Sequence, residues 1–124
     1  MNKHTIIFVI VVLILLISGI FYFNRNTTIT EPKLPTAYEY FWGDGCPHCA
    51  IVATFFESWD KKDKVNIDKK EVWSNPANAQ LLQTRAKYCN IKPTEMGVPF
   101  LFTPDGKCLT GDQPIIEYFK SLSL

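Results

Sequence analysis

From Ile6 to Phe23 the chain reads IIFVIVVLILLISGIFYF, an uncharged run interrupted only by Ser18, Gly19 and Tyr22. As a helix rising about 1.5 Å per residue it covers about 27 Å, and with Thr5 and Asn24 it approaches the roughly 30 Å of bilayer hydrocarbon. A helix buried in a small soluble core keeps a polar face, and this run has none. A cleaved secretory signal would end on small residues. This run ends Ser-Gly-Ile-Phe-Tyr-Phe, with bulky aromatics where cleavage needs small side chains. No cysteine near its end is available to carry a lipid. Residues 1–24 are therefore expected to form a single uncleaved transmembrane anchor that meets membrane lipid through residues 6–23. Lys3 before the run and Arg25 after it give the positive-inside rule no direction.

About a hundred residues remain, enough for one small core. The chain has 13 basic and 12 acidic side chains and a net charge of +1. That lacks the basic excess of a protein that binds nucleic-acid phosphates, so no nucleic-acid partner is expected. Residues 25–37 (RNTTITEPKLPTA) are polar, threonine-rich and carry Pro32 and Pro35, which reads as an extended linker. The folded unit is expected over residues 38–124.

Within that unit, Tyr38-Glu39-Tyr40-Phe41-Trp42 is aromatic and strand-like. Gly43-Asp44-Gly45 breaks it, and Pro47 suits the first turn of a helix, where a missing N–H costs nothing. Val52, Phe55, Phe56 and Trp59 follow at helical spacing. A second strand is expected over Val65–Val72, after the charged turn Lys61-Lys62-Asp63-Lys64. Asn75-Pro76 reads as a cap and first helical residue, with Leu81, Leu82, Ala86, Tyr88 and Cys89 on the apolar side. Val98–Phe102 reads as a buried strand, Pro104-Asp105-Gly106 as a turn, and Lys107–Thr110 as the return. A last helix starts near Asp112 or Gln113 and buries Ile115, Phe119 and Leu122. This order predicts an α/β domain, a mixed four-stranded sheet flanked by about three helices.

Cys46-Pro47-His48-Cys49 lies between the first strand and the first helix of this domain. At a helix start, free N–H groups and the positive end of the helix dipole stabilise a thiolate. Cys46 is expected to be the more exposed sulfur and the nucleophile. Cys49, one turn further in and beside Val52 and Phe56, is expected to resolve the mixed disulfide. His48 between them would favour the Cys46 thiolate, and a stabilised dithiol makes the disulfide more oxidising. The same spacing serves zinc sites and structural disulfides. A second Cys-x-x-Cys to complete a zinc set is missing. A membrane-anchored copper or zinc carrier using Cys46, Cys49 and His48 is the alternative reading, copper being the better fit. A purely structural module with an unreactive bridge is a third.

The segment Phe41-Trp42-Gly43-Asp44-Gly45-Cys46-Pro47-His48-Cys49 resembles the active-site segment of thioredoxin-fold proteins, and its Pro-His pair resembles the bacterial disulfide-oxidant (DsbA-like) branch. Val98-Pro99 matches the second mark of that family, a cis-proline preceded by valine or threonine. The resemblance runs over residues 38–124. It implies a thioredoxin-like fold and thiol:disulfide exchange, with Pro99 beside the cysteine pair. The Val98 backbone and Trp42 would meet a substrate segment, which the backbone binds as an added strand. No cofactor and no resident metal are expected. The family usually buries an acidic residue six positions before the first active cysteine. Here Tyr40 stands there, which leaves proton relay to Glu39 or to solvent. The branch also inserts a helical subdomain for which there is no length, so a minimal, glutaredoxin-sized version is expected.

Cys89 and Cys108 either form a structural disulfide, stapling the last-helix region to the return strand, or remain buried thiols. His4, Trp59 and Trp73 read as flank or core. Lys61, Lys62, Lys64, Lys69 and Lys70, balanced by Asp60, Asp63, Asp68 and Glu71, read as a solvated face. Disulfide chemistry persists outside the cytoplasm. The expected protein is therefore a single-pass cell-membrane protein with an extracytoplasmic domain. Its expected partners are protein thiols or disulfides and a membrane redox partner.

Overall fold

The computed structural model describes residues 2–25 and 33–124. Two units result, Met1–Glu31 and Pro32–Leu124. Most of the expected linker, residues 26–32, lies outside the described residues. In the first unit, helix α1 spans Lys3–Arg25, and its Lys3–Tyr22 stretch has a mean hydropathy of 3.0. Aliphatic side chains are uncovered around it, and His4 is exposed on its first turn. The helix is long and apolar enough to cross a membrane.

The second unit is an α/β domain. Its elements are β1 (Tyr38–Trp42), α2 (Pro47–Ser58), a short 3₁₀ turn (Lys62–Lys64), β2 (Ile67–Glu71), α3 (Pro76–Tyr88), β3 (Phe100–Phe102), β4 (Cys108–Thr110) and α4 (Asp112–Ser121). The four strands form one mixed sheet in the order β2-β1-β3-β4. β1 runs parallel to β2 with Tyr40 opposite Lys69, and antiparallel to β3 with Tyr40 opposite Leu101. β3 and β4 pair antiparallel, Leu101 opposite Leu109. β2 begins at Ile67 rather than Val65, and β3 at Phe100 rather than Val98, so both strands are shorter than their apolar runs. β2 is an edge, and its Asp68-Lys69-Lys70 run discourages further strand pairing.

Side chains on successive strand residues point to opposite faces, and this alternation builds two cores from one strand. Tyr40 packs with Val52, Phe56, Trp59, Leu101, Ile115 and Phe119, the layer made by α2 and α4. Phe41 faces the other way, onto Leu82 and Ala86 of α3 with Phe100 and Phe102. Asn75 caps α3, its Oδ1 accepting from the N–H groups of Ala77 and Asn78 at 3.1 and 3.3 Å. Arg85 is buried on that helix, and Tyr88, though 42% exposed, packs edge-on to Phe102 with centroids 5.5 Å apart. Leu122 is half-buried just past α4, and Ile116 joins Ile115 and Phe119 in the core in its place. Trp59 is in the core, but Trp73 is not: it is 62% exposed and lies over Gly43.

Candidate functional site

The chain leaves β1 through Gly43-Asp44-Gly45 and enters α2 at Pro47. Gly45 has φ +75°, a left-handed conformation that glycine adopts without a Cβ penalty. The Cys46 N–H donates to the Gly43 carbonyl at 3.2 Å, which closes the turn and sets Cys46 as the helix cap. Its sulfur takes the place of the usual capping oxygen: the Cys49 N–H donates to Cys46 Sγ at 3.2 Å. On its other side Cys46 Sγ lies 3.8 Å from the Val98 carbonyl oxygen, to which its S–H donates.

Cys46 is the more exposed of the two, as expected, at 8% against 4% for Cys49, but both are buried, and the Val98 backbone approaches Cys46. Both thiols are free. Burial, followed by hydrogen bonding with Cys46, pushes the Cys49 thiol up to about 11. The Val98–Pro99 peptide is cis, Pro99 is fully buried, and the Pro99 carbonyl accepts from Gly111 N–H at 2.9 Å. Trp42, half-buried at the end of β1, borders a groove of about 260 Å³ that also reaches Gly45, Cys46 and Pro47. A second groove of about 460 Å³ runs past Val98 between Met96 and the exposed Trp73.

The His48 side chain pairs with α4. Its Nδ1 lies 3.3 Å from Asp112 Oδ2, at the first turn of α4. The imidazole is largely in solvent while the carboxylate is mostly covered. The His48 hydrogen bond, with the backbone N–H of Gln113, holds the Asp112 carboxyl below its usual range. Sequence reading finds Asp112 only as a helix start, since nothing local links it to His48. Among the described residues no group of three or more His, Cys, Asp or Glu side chains is placed to hold a metal ion.

Glu39 is not available to the cysteines. It lies on the α3 face of β1, buried, with Arg85 donating from Nε to Oε2 at 2.7 Å and from Nη2 to Oε1 at 3.1 Å. Relay through Glu39 is therefore ruled out by strand alternation, and Tyr40 is the ionisable β1 side chain on the Cys49 face, with Trp42 beside it. Arg85 also donates to the Lys33 carbonyl at 3.1 Å and sits 4.6 Å from the Phe102 ring centroid. Cys89 and Cys108 are joined by a disulfide. It ties the end of α3 to β4, not the last-helix region, because Cys89 follows directly on Tyr88. Compared with known proteins, the chain matches no family model, no curated protein and no solved structure.

Proposed function

We propose that the chain is a membrane-anchored thiol:disulfide oxidoreductase of thioredoxin-like fold, exchanging disulfides with extracytoplasmic protein thiols through Cys46 and Cys49. One observation carries this reading. Cys46 Sγ caps a helix, receives the Cys49 N–H at 3.2 Å and meets the Val98 carbonyl at 3.8 Å, while Cys49 is held one turn behind it. A helix-capping sulfur with an N–H donor is electrostatically suited to carry negative charge through exchange. The mixed sheet with α2 and α4 on one face and α3 on the other also supports the fold reading.

In the exchange, Cys46 Sγ bonds to the substrate sulfur. Cys49 displaces that sulfur and closes the Cys46–Cys49 bond, or leaves as a thiolate when the step runs the other way. Pro47 starts α2, and His48 places a donor at the mouth of the site. The backbone at Val98, with Trp42 beside it, offers an extended substrate segment somewhere to pair. Only sulfur chemistry is needed, so the reading calls for no cofactor. A membrane redox partner would reset the pair. The Cys89–Cys108 disulfide favours an oxidising compartment, and α1 supplies the means of anchoring.

Capture in cells tests this. Cys49→Ser should accumulate covalent partners through Cys46 that reducing agent releases, and Cys46→Ser should accumulate none. A Cys49→Ser protein without covalent partners would remove the proposal.

A further inference from the structure

Tyr40 is buried, ionisable and close to the resolving sulfur, yet the exchange steps above give it no task. It sits in the middle of β1 at 2% exposure, edge-on to Phe56 with centroids 5.2 Å apart. Its hydroxyl donates to the Cys49 carbonyl 3.4 Å away and also neighbours the Cys49 thiol. The two side chains share a small cavity of about 200 Å³ with Trp42, Ala53, Phe56 and Lys69. The walls are largely apolar; Tyr40 and Lys69 are the other ionisable side chains that line it, and Cys46 is the other ionisable group beside Cys49.

We infer that Tyr40 is a catalytic residue of the exchange, its hydroxyl turning its one proton from the Cys49 carbonyl to Cys49 Sγ whenever that sulfur carries negative charge. The inference rests on Cys46 and Cys49 being the exchanging pair. When a substrate thiolate attacks Cys46 Sγ of the disulfide, a bond forms between those two sulfurs. The Cys46–Cys49 bond breaks, and its electron pair leaves on Cys49. In the reverse step the Cys49 thiolate attacks Cys46 Sγ, the bond re-forms, and the substrate sulfur departs as a thiolate. Cys49 therefore bears charge in both directions, inside a cavity that solvates it poorly. A fixed donor stabilises that charge more than it stabilises the neutral thiol. Burial first, and the neighbouring thiols second, hold the phenol well above its ordinary range. Tyr40 thus keeps its proton and acts as a donor and not a base.

The test uses the full chain in detergent, with oxidised glutathione as the probe and acid quenching before mass spectrometry. In Tyr40→Phe, the glutathione mixed disulfide at Cys46 should form at the wild-type rate and resolve about three- to tenfold more slowly. In a Cys46→Ser background, adding Tyr40→Phe should move the Cys49 thiolate absorbance to higher pH. A fluorinated tyrosine at position 40, a stronger donor of nearly the same shape, should speed resolution, which keeps the test valid if Tyr40→Phe folds poorly. Resolution at the wild-type rate in both variants overturns the inference while leaving the exchange reading intact. A wild-type protein that forms no mixed disulfide at Cys46 overturns both.

Discussion

The Nδ1 atom of His48, in the first turn of α2, lies 3.3 Å from Oδ2 of Asp112, in the first turn of α4. The exposed ring is thereby held by a carboxylate that is itself mostly covered. An unpaired surface histidine would sample several rotamers, whereas this one is tied by the nitrogen that faces α4.

Replacing Asp112 should free that ring. In wild-type protein, long-range ¹H–¹⁵N spectra should show Nδ1 as the protonated nitrogen of neutral His48. In Asp112→Ala the two tautomers should average. Asp112 titrates below its ordinary 3.8 in the folded protein, so the pair contributes stability above that value. The contribution is lost as pH falls through the lowered carboxyl range. Identical spectra for the two proteins would show that the contact does not hold the ring.

Cys49 sets an alkaline limit on the reduced protein. Its thiol is raised from 9.0 to about 11, chiefly by burial. Between those values the unfolded chain releases a proton that the folded chain retains. Stability of the reduced form should therefore be complete below about pH 9 and fall as pH rises toward 11. Denaturant unfolding of the dithiol across this range checks the sign, and Cys49→Ala should flatten the slope between pH 9 and 10, above which the raised phenols of Tyr40 and Tyr118 also contribute.

The Glu39–Arg85 pair should behave as a buried ion pair. Removing one partner, as in Glu39→Gln or Arg85→Met, leaves a buried group uncompensated and should cost about 3–5 kcal/mol. Glu39→Leu combined with Arg85→Met should recover much of that loss. Because Arg85 also holds the Lys33 carbonyl and covers Phe102, its replacement should cost more than that of Glu39. A double-mutant cycle on unfolding free energies measures the coupling.

Loss of the Cys89–Cys108 bond should destabilise without touching the exchanging pair. The bond closes a loop with a sequence separation of 19. Cys89→Ser with Cys108→Ser should lower stability by about 3 kcal/mol through the entropy returned to the unfolded chain. Alkylation of Cys46 and Cys49 in the folded variant should proceed as in wild type.

Element positions were readable where the signal is local. Asn75-Pro76 announces α3 through one side-chain cap and one missing N–H. The breaker at Gly43-Asp44-Gly45 and Pro47 place the Cys-x-x-Cys at the start of α2. Apolar runs overshot the strands because Val65 and Val98 are partly covered yet lie outside the ladder. Trp73 defeats composition in the opposite sense: a tryptophan stands exposed, and its ring lies against Gly43, where a Cβ would collide with it.

Neighbouring residues thus contain the α1 run, the order of elements, the two faces of β1 and the pair Cys46–Cys49. Each follows from spacing, propensity or capping within a few positions. The approach of Cys46 to Val98, 52 residues away, and the lock between Glu39 and Arg85, 46 residues apart, follow from strand pairing and layer packing. So do the hold of Asp112 on His48 and the cover over both sulfurs. No stretch of chain holds both partners of these contacts, so they exist only once the sheet has brought its distant edges and helices together.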